Sequence, residues 1–198
     1  MKNPYIFILT LFLSITTFGQ KALEEAAFKN GNPEVALAKN FTSISGGHTK
    51  GNGTVVISFL LTKKGEIKNL YPTKFDVEKN GVNAILAIQK TSGLWSPASN
   101  DGFAIDKTYK IAFNFLPSSG TYVTDVKMAD KFAEKKMYKR ALKYYNKAIK
   151  YNKFEAALYL KRAEVKHALN DIKGLKADVL KCKEIQKEFL VSVQLSAK

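Results

Sequence analysis

TVVISFLLTKKGEIKNL, from Thr54 to Leu70, carries two strand patterns around a turn. Val55, Ile57, Phe59 and Leu61 fall on one face, Thr54, Val56, Ser58 and Leu60 on the other, and both faces are fairly apolar. Lys63-Lys64-Gly65-Glu66 supplies the turn, and Ile67 to Tyr71 returns as a second strand, which makes a hairpin. Downstream, Val82 with Leu86 and Ile85 with Ile88 sit at helical spacings, so Phe75 to Thr91 reads as mostly helical. After Gly93 and Trp95-Ser96-Pro97 the chain turns through Asn100-Asp101-Gly102. Lys107 to Phe115 then alternates strictly, with Tyr109, Ile111, Phe113 and Phe115 on one face and Lys110, Ala112 and Asn114 on the other. The result is a small strand–strand–helix–strand unit of α+β class.

Upstream, Lys21 to Ser43 carries helical spacing in two pieces, with Leu23, Ala26 and Ala27 before Gly31-Asn32-Pro33 and Val35, Leu37 and Ala38 after it. Ser45 to Gly53 is glycine-rich but lacks the Gly-Lys-Ser/Thr ending of a phosphate-binding loop, so it reads as a linker with a solvated His48. Met1 to Gln20 reads as an export signal: Lys2 opens it, Tyr5 to Ile15 is apolar, and Thr17 and Gly19 precede a cut before Gln20. As a helix, Pro4 to Phe18 would reach roughly 22 Å, short of the ~30 Å hydrocarbon core of a bilayer. An uncleaved anchor is the alternative.

Pro117-Ser118-Ser119-Gly120 reads as a boundary, beyond which almost everything is helical. The chain of 198 residues carries +15, distributed as +5 over residues 1–120 and +10 over residues 121–198. Shifting the C-terminal part by 34 positions aligns Ala129 with Ala163, Tyr138 with Ile172, Ala141 with Leu175, Tyr145 with Val179 and Ala148 with Cys182. ADKFAEKKMYKRALKYYNKAIKYN, Ala129 to Asn152, resembles a tetratricopeptide hairpin, and ALYLKRAEVKHALNDIKGLKADVLKC a weaker second copy. That resemblance implies that Ala129, Phe132, Tyr138, Ala141, Tyr145 and Ala148 pack one helix on the next, and that peptides or proteins are the ligands. Lys166 stands where Phe132 stood, and Cys182 reads as a small buried residue rather than a reactive thiol. The divisions expected are a signal peptide at 1–19, a helical segment at 20–44, the α+β unit at 45–117 and all-α helical repeats at 121–198.

TVVISFLLTKKGEIKNL, GVNAILAIQKTSGLWSPA and KTYKIAFNF together resemble the C-terminal domain of TonB energy transducers, over residues 53–116. The matching positions are Gly65, Ala84, Trp95, Pro97, Tyr109, Phe113 and Phe115. The resemblance implies a short extended peptide pairing with an exposed sheet edge. Two features depart from that family: there is no proline-rich spacer, and 83 residues, Leu116 to Lys198, follow the closing strand.

One cysteine and two histidines do not fill a zinc or haem site, and no cofactor motif is present. Glu24, Glu25, Glu34, Glu66, Asp76, Glu78, Asp101 and Asp106 stand in no catalytic motif and read as solvated charges, so neither catalytic, cofactor nor metal residues are assigned. The expectation is a non-enzymatic periplasmic protein–protein interaction module of the cell envelope. Its partner-binding residues are Lys107, Tyr109, Lys110, Ala112 and Asn114 on an edge strand, and Lys139, Lys143, Lys147 and Lys150 on one outward helix face. The alternatives are an electrostatic binder of an anionic envelope surface, such as a membrane surface, or of an acidic partner, and an accessory component of TonB-dependent transport. Export and the packing positions of the aromatics disfavour nucleic acid.

Overall fold

A computed structural model describes residues 22–49, 51–76, 78–117 and 120–196. The expected export signal, Met1 to Gly19, lies outside them. Two short strands, β1 (Leu23–Glu24) and β2 (Ala27–Phe28), lead into helix α1 (Pro33–Ser45). The helical reading of Leu23, Ala26 and Ala27 is therefore corrected. β1 and β2 pair antiparallel with β6 (Ala98–Asn100) and β5 (Trp95–Ser96) respectively, cross-strand bonds that the ten residues before Gly31-Asn32-Pro33 could not match with a helix. α1 starts where Pro33 predicts it: Asn32 Oδ1 accepts from the Glu34 and Val35 N–H groups at 2.8 and 3.3 Å, and Gly46 closes it at φ 64°.

The hairpin forms as β3 (Gly53–Leu61) and β4 (Ile67–Phe75), followed by α2 (Glu78–Gln89), a small hairpin of β6 and β7 (Phe103–Ile105), and β8 (Lys107–Leu116). Gly65 is required at its turn: its φ is +79°, and a Cβ there would lie 2.5 Å from the Trp95 carbonyl oxygen. Trp95 is buried beside it, with Phe28 edge-on at 4.8 Å and its indole N–H donating to Thr91 Oγ1 at 3.0 Å. β3 is antiparallel to both β4 and β8.

The largest correction concerns the C-terminal part. Four helices follow β8, namely α3 (Thr121–Glu134), α4 (Tyr138–Tyr151), α5 (Ala156–Ala168) and α6 (Ile172–Glu188), but the chain does not end helical. β9 (Val191–Ser196) returns to pair in parallel with β8, from Ile111↔Val191 to Leu116↔Ser196. The sheet order is β4-β3-β8-β9. The chain is a mixed α/β fold in which the four helices are the crossover that two parallel strands require, not an all-α domain after a separate α+β one.

Both faces of β3, β8 and β9 are covered, while β4 is exposed over most of its length. Odd-numbered residues of β3, β8 and β9, among them Ile57, Ile111, Phe113 and Val193, form one core with Leu37 and Phe41 of α1 and Ala84 and Ile88 of α2. On the even-numbered face Val56, Ala112 and Leu116 join a second core with Tyr122, Ala129, Ala141, Tyr145 and Ala148 of the helices. α3 packs on α4, α5 on α6, and α4 on α5. The two intra-pair turns place Lys136 and Asn170, 34 positions apart, in the left-handed region at φ 55° and 63°, so the sequence period is also a backbone period. Ala129, Ala163, Ala148 and Cys182 are buried. Lys166, opposite its aromatic counterpart in the alignment, grips Asp178 at 2.8 Å, and Arg162 holds the same carboxylate through two bonds of 2.6 and 2.8 Å. Among the described residues no helix is long and apolar enough to cross a membrane.

Candidate functional site

The predicted edge strand, β8, is an inner strand over most of its length. Ala112 and Asn114 are fully buried beneath the helices and are not available to a partner. Asn114 is instead part of a polar ladder across the sheet: Thr54 Oγ1 donates to its Oδ1 at 3.1 Å, and its Nδ2 donates to Ser192 Oγ at 3.0 Å. Gln194 Nε2 continues the ladder by donating to the Glu155 carboxylate at the start of α5.

The other half of the predicted edge is open. β8 begins at Lys107, whereas its pairing with β9 begins only at Ile111. The Leu190 N–H donates to the Lys110 carbonyl at 2.8 Å, which shows that the backbone groups of even-numbered β8 residues point towards the β9 side. By the alternation of a strand, the Thr108 N–H and C=O and the Lys110 N–H also point that way, at positions that β9 has not reached. Thr108 is exposed. A cleft of about 390 Å³ lies along this lane, walled by Glu25 on one side and by the end of α6, through Glu188, Phe189 and Leu190, on the other.

The cleft's charged walls are held in place. Lys107 Nζ donates to both Glu25 oxygens at 2.6 and 2.8 Å, and the Tyr109 hydroxyl donates to Glu25 Oε2 at 2.8 Å while accepting from the Ala26 N–H at 3.1 Å. The hydrogen bond from Lys107 keeps the Glu25 carboxyl below its ordinary range, against a smaller opposing effect of burial. Burial, with Glu25 beside it, pushes the Tyr109 hydroxyl up to about 12. Lys110 Nζ pairs with Glu188 at 3.1 Å.

Lys107, Tyr109 and Lys110 are thus brought together, and Ala112 and Asn114 are set apart from them. Lys139, Lys143, Lys147 and Lys150 lie exposed on α4, remote in sequence from the cleft, with Lys147 Nζ 5.1 Å from the Tyr144 ring centroid. Several carboxylates read as solvated have fixed partners: Glu25 as above, Asp76 Oδ2 accepting from the Thr54 N–H at 2.8 Å, and Asp106 Oδ1 accepting from the Lys63 N–H at 2.6 Å. Sequence reasoning missed Glu25, which stands 82 residues before its partner Lys107, Thr108, whose side of β8 is open only because β9 starts late, and the Gln186–Leu190 wall, which a crossover of four helices brings to β8. The signal that could have found the wall is the alternation of Val191, Val193 and Leu195 just after it. Among the described residues no group of three or more His, Cys, Asp or Glu side chains is placed to hold a metal ion.

Comparison of the chain with protein-family models, with curated proteins and with solved structures gives no match.

Proposed function

We propose that this chain is a non-enzymatic, exported protein–protein interaction module of the cell envelope, which takes a short extended partner peptide as an added strand along Lys107–Lys110. The observation that carries this reading is that β8 outruns β9, leaving main-chain donors and an acceptor facing a cleft. Four residues at ~3.3 Å each give a lane of roughly 13 Å, room for three or four residues of a partner. Pairing there uses the main chain for affinity and leaves side-chain choice to Phe189, Leu190 and the flanking charges. The other edges are poorer templates. β4 carries Lys68, Pro72 and Lys74 and two register shifts against β3, devices that discourage pairing, and β9 packs against α1 with Val193 fully buried.

Binding rather than turnover is favoured by the state of the titratable groups. Glu25 is engaged by both Lys107 and Tyr109, and a tyrosine hydroxyl pushed up to about 12 stays protonated near neutrality. The resemblance of residues 53–116 to TonB C-terminal domains supports the same mode of binding, and the reading of Met1 to Gly19 supports export.

The test is affinity selection of short random peptides displayed against the chain, followed by hydrogen exchange. Selected peptides should slow exchange at the Thr108 and Lys110 amides. Thr108→Pro removes a donor that the β3 ladder does not use, so a folded variant should lose the peptides. Peptides that bind without protecting either amide, or that bind the folded proline variant unchanged, overturn the assignment.

A further inference from the structure

A second surface is independent of the cleft. From Lys135 to Phe154 the chain holds eight basic residues and no acidic one, more than half of its net +15. Most of this segment is α4. At 100° per residue, Lys139, Lys143, Lys147 and Lys150 fall within an arc of roughly 80° on the helix wheel. That arc is opposite the buried stripe of Ala141, Tyr145, Ala148 and Ile149, so packing against α3 and α5 turns all four ammonium groups outward.

Four of the nine carboxylates between residues 121 and 198 are engaged by other cations. Asp130 takes the Tyr145 hydroxyl at 2.5 Å and Lys161 Nζ at 2.9 and 3.0 Å. Asp178 takes Arg162 and Lys166, Glu184 takes Lys181, and Glu188 takes Lys110. Among the described residues none of the four α4 lysines is in an ion pair.

From this arrangement we propose that the outward face of α4 docks the protein on an anionic lipid bilayer. Three features favour a bilayer over an acidic protein. The face is a convex helix surface, which fits a broad flat partner better than a buried carboxylate. Its charges are lysines, compact and flexible point charges, rather than the planar forks that read individual carboxylates. The exposed Tyr151 and half-buried Tyr144 lie along one flank, side chains suited to the headgroup layer. No large aliphatic side chain of α4 is exposed, so the docking is electrostatic, without insertion, and reversed by salt.

The experiment uses the chain from Gln20 onward, which contains every described element, since the apolar run before it would partition into lipid by itself. Co-sedimentation is measured with phosphatidylglycerol–phosphatidylcholine vesicles and with pure phosphatidylcholine vesicles, at low and at high salt. The chain should bind the anionic vesicles at low salt only. Each lysine at such a surface is worth about fivefold in affinity, so Lys139→Gln, Lys143→Gln, Lys147→Gln and Lys150→Gln together should weaken binding by about a hundredfold or more. Glutamine keeps helix propensity, and circular dichroism checks the fold. A matched control, Lys39→Gln, Lys63→Gln, Lys64→Gln and Lys90→Gln, makes the same charge change at other exposed sites and should retain most of the binding. Equal loss in both variants means that net charge alone acts and overturns the assignment to α4. Absence of vesicle binding, or capture of polyglutamate in its place, overturns the bilayer.

Discussion

Gly65 shows how a single position decides a local structure. Its φ of +79° and the 2.5 Å approach of a Cβ to the Trp95 carbonyl leave no room for a side chain. Gly65→Ala should destabilise the protein by about 2 kcal/mol or more, read as a fall in the midpoint of urea unfolding. Asp178 is a different case. Burial pushes its carboxyl up, but hydrogen bonds from Arg162 and Lys166 outweigh that and hold it below its ordinary value. A depressed folded-state pKa gives stability that is present above the unfolded value and lost as pH falls through the folded one. Asp178→Ala should cost about 3 kcal/mol at neutral pH, because it leaves two cations part-buried without their counterion. The variant's thermal midpoint should also approach that of the parent as the pH is lowered. Glu155 has the opposite sign. Burial raises its pKa, with the nearby Glu34 adding to it, so its contribution is best at low pH and is lost as pH rises through the raised value. Glu155→Gln should raise the thermal midpoint at neutral pH and not in acid.

At the scale of elements, α1, the β3–β4 hairpin, α2 and β8 were legible because each carries a local signal: a proline start with an asparagine cap, a glycine turn, a period near 3.6 or a period of two. β1 and β2 were not, because two-residue strands have no period and exist only where Trp95–Asn100 lies alongside. β9 had its alternation in Val191, Val193 and Leu195, but six residues after a long helix give no hint of which strand they will join. Half of the cleft was equally hidden. Lys107, Tyr109 and Lys110 could be chosen from the strand pattern, while the lane beside them opens only because β9 starts late. A chain ending at Phe189 should therefore lose exchange protection at the Ala112 and Asn114 amides, whose groups face β9, and retain it at Ile111 and Phe113, which face β3. Protection unchanged at all four would show that β9 does not hold this register.

At the scale of the whole molecule, the shared sheet and the Val56–Ala112–Leu116 contact join the two halves that the linker near Pro117 divides in sequence. Trp95, the single tryptophan, sits in the core shared with α1 and α2, whereas the far-ultraviolet signal comes mostly from the four crossover helices. Trp95 fluorescence and far-ultraviolet circular dichroism should trace coincident urea transitions. Two separated transitions would mean that the helices unfold as a unit of their own.

The sequence by itself determined what depends on near neighbours: the period of each long element, the turns 34 residues apart within the helical part, and the lysine face of α4, since spacing along one helix places all four side chains. Only the tertiary structure decided which strand stands at the edge, that the last strand returns to the sheet, and that Glu25 meets Lys107 and Tyr109. Those contacts join residues about 80 apart, and their stability comes from burying both faces of one sheet at once, a condition that no local window of sequence expresses.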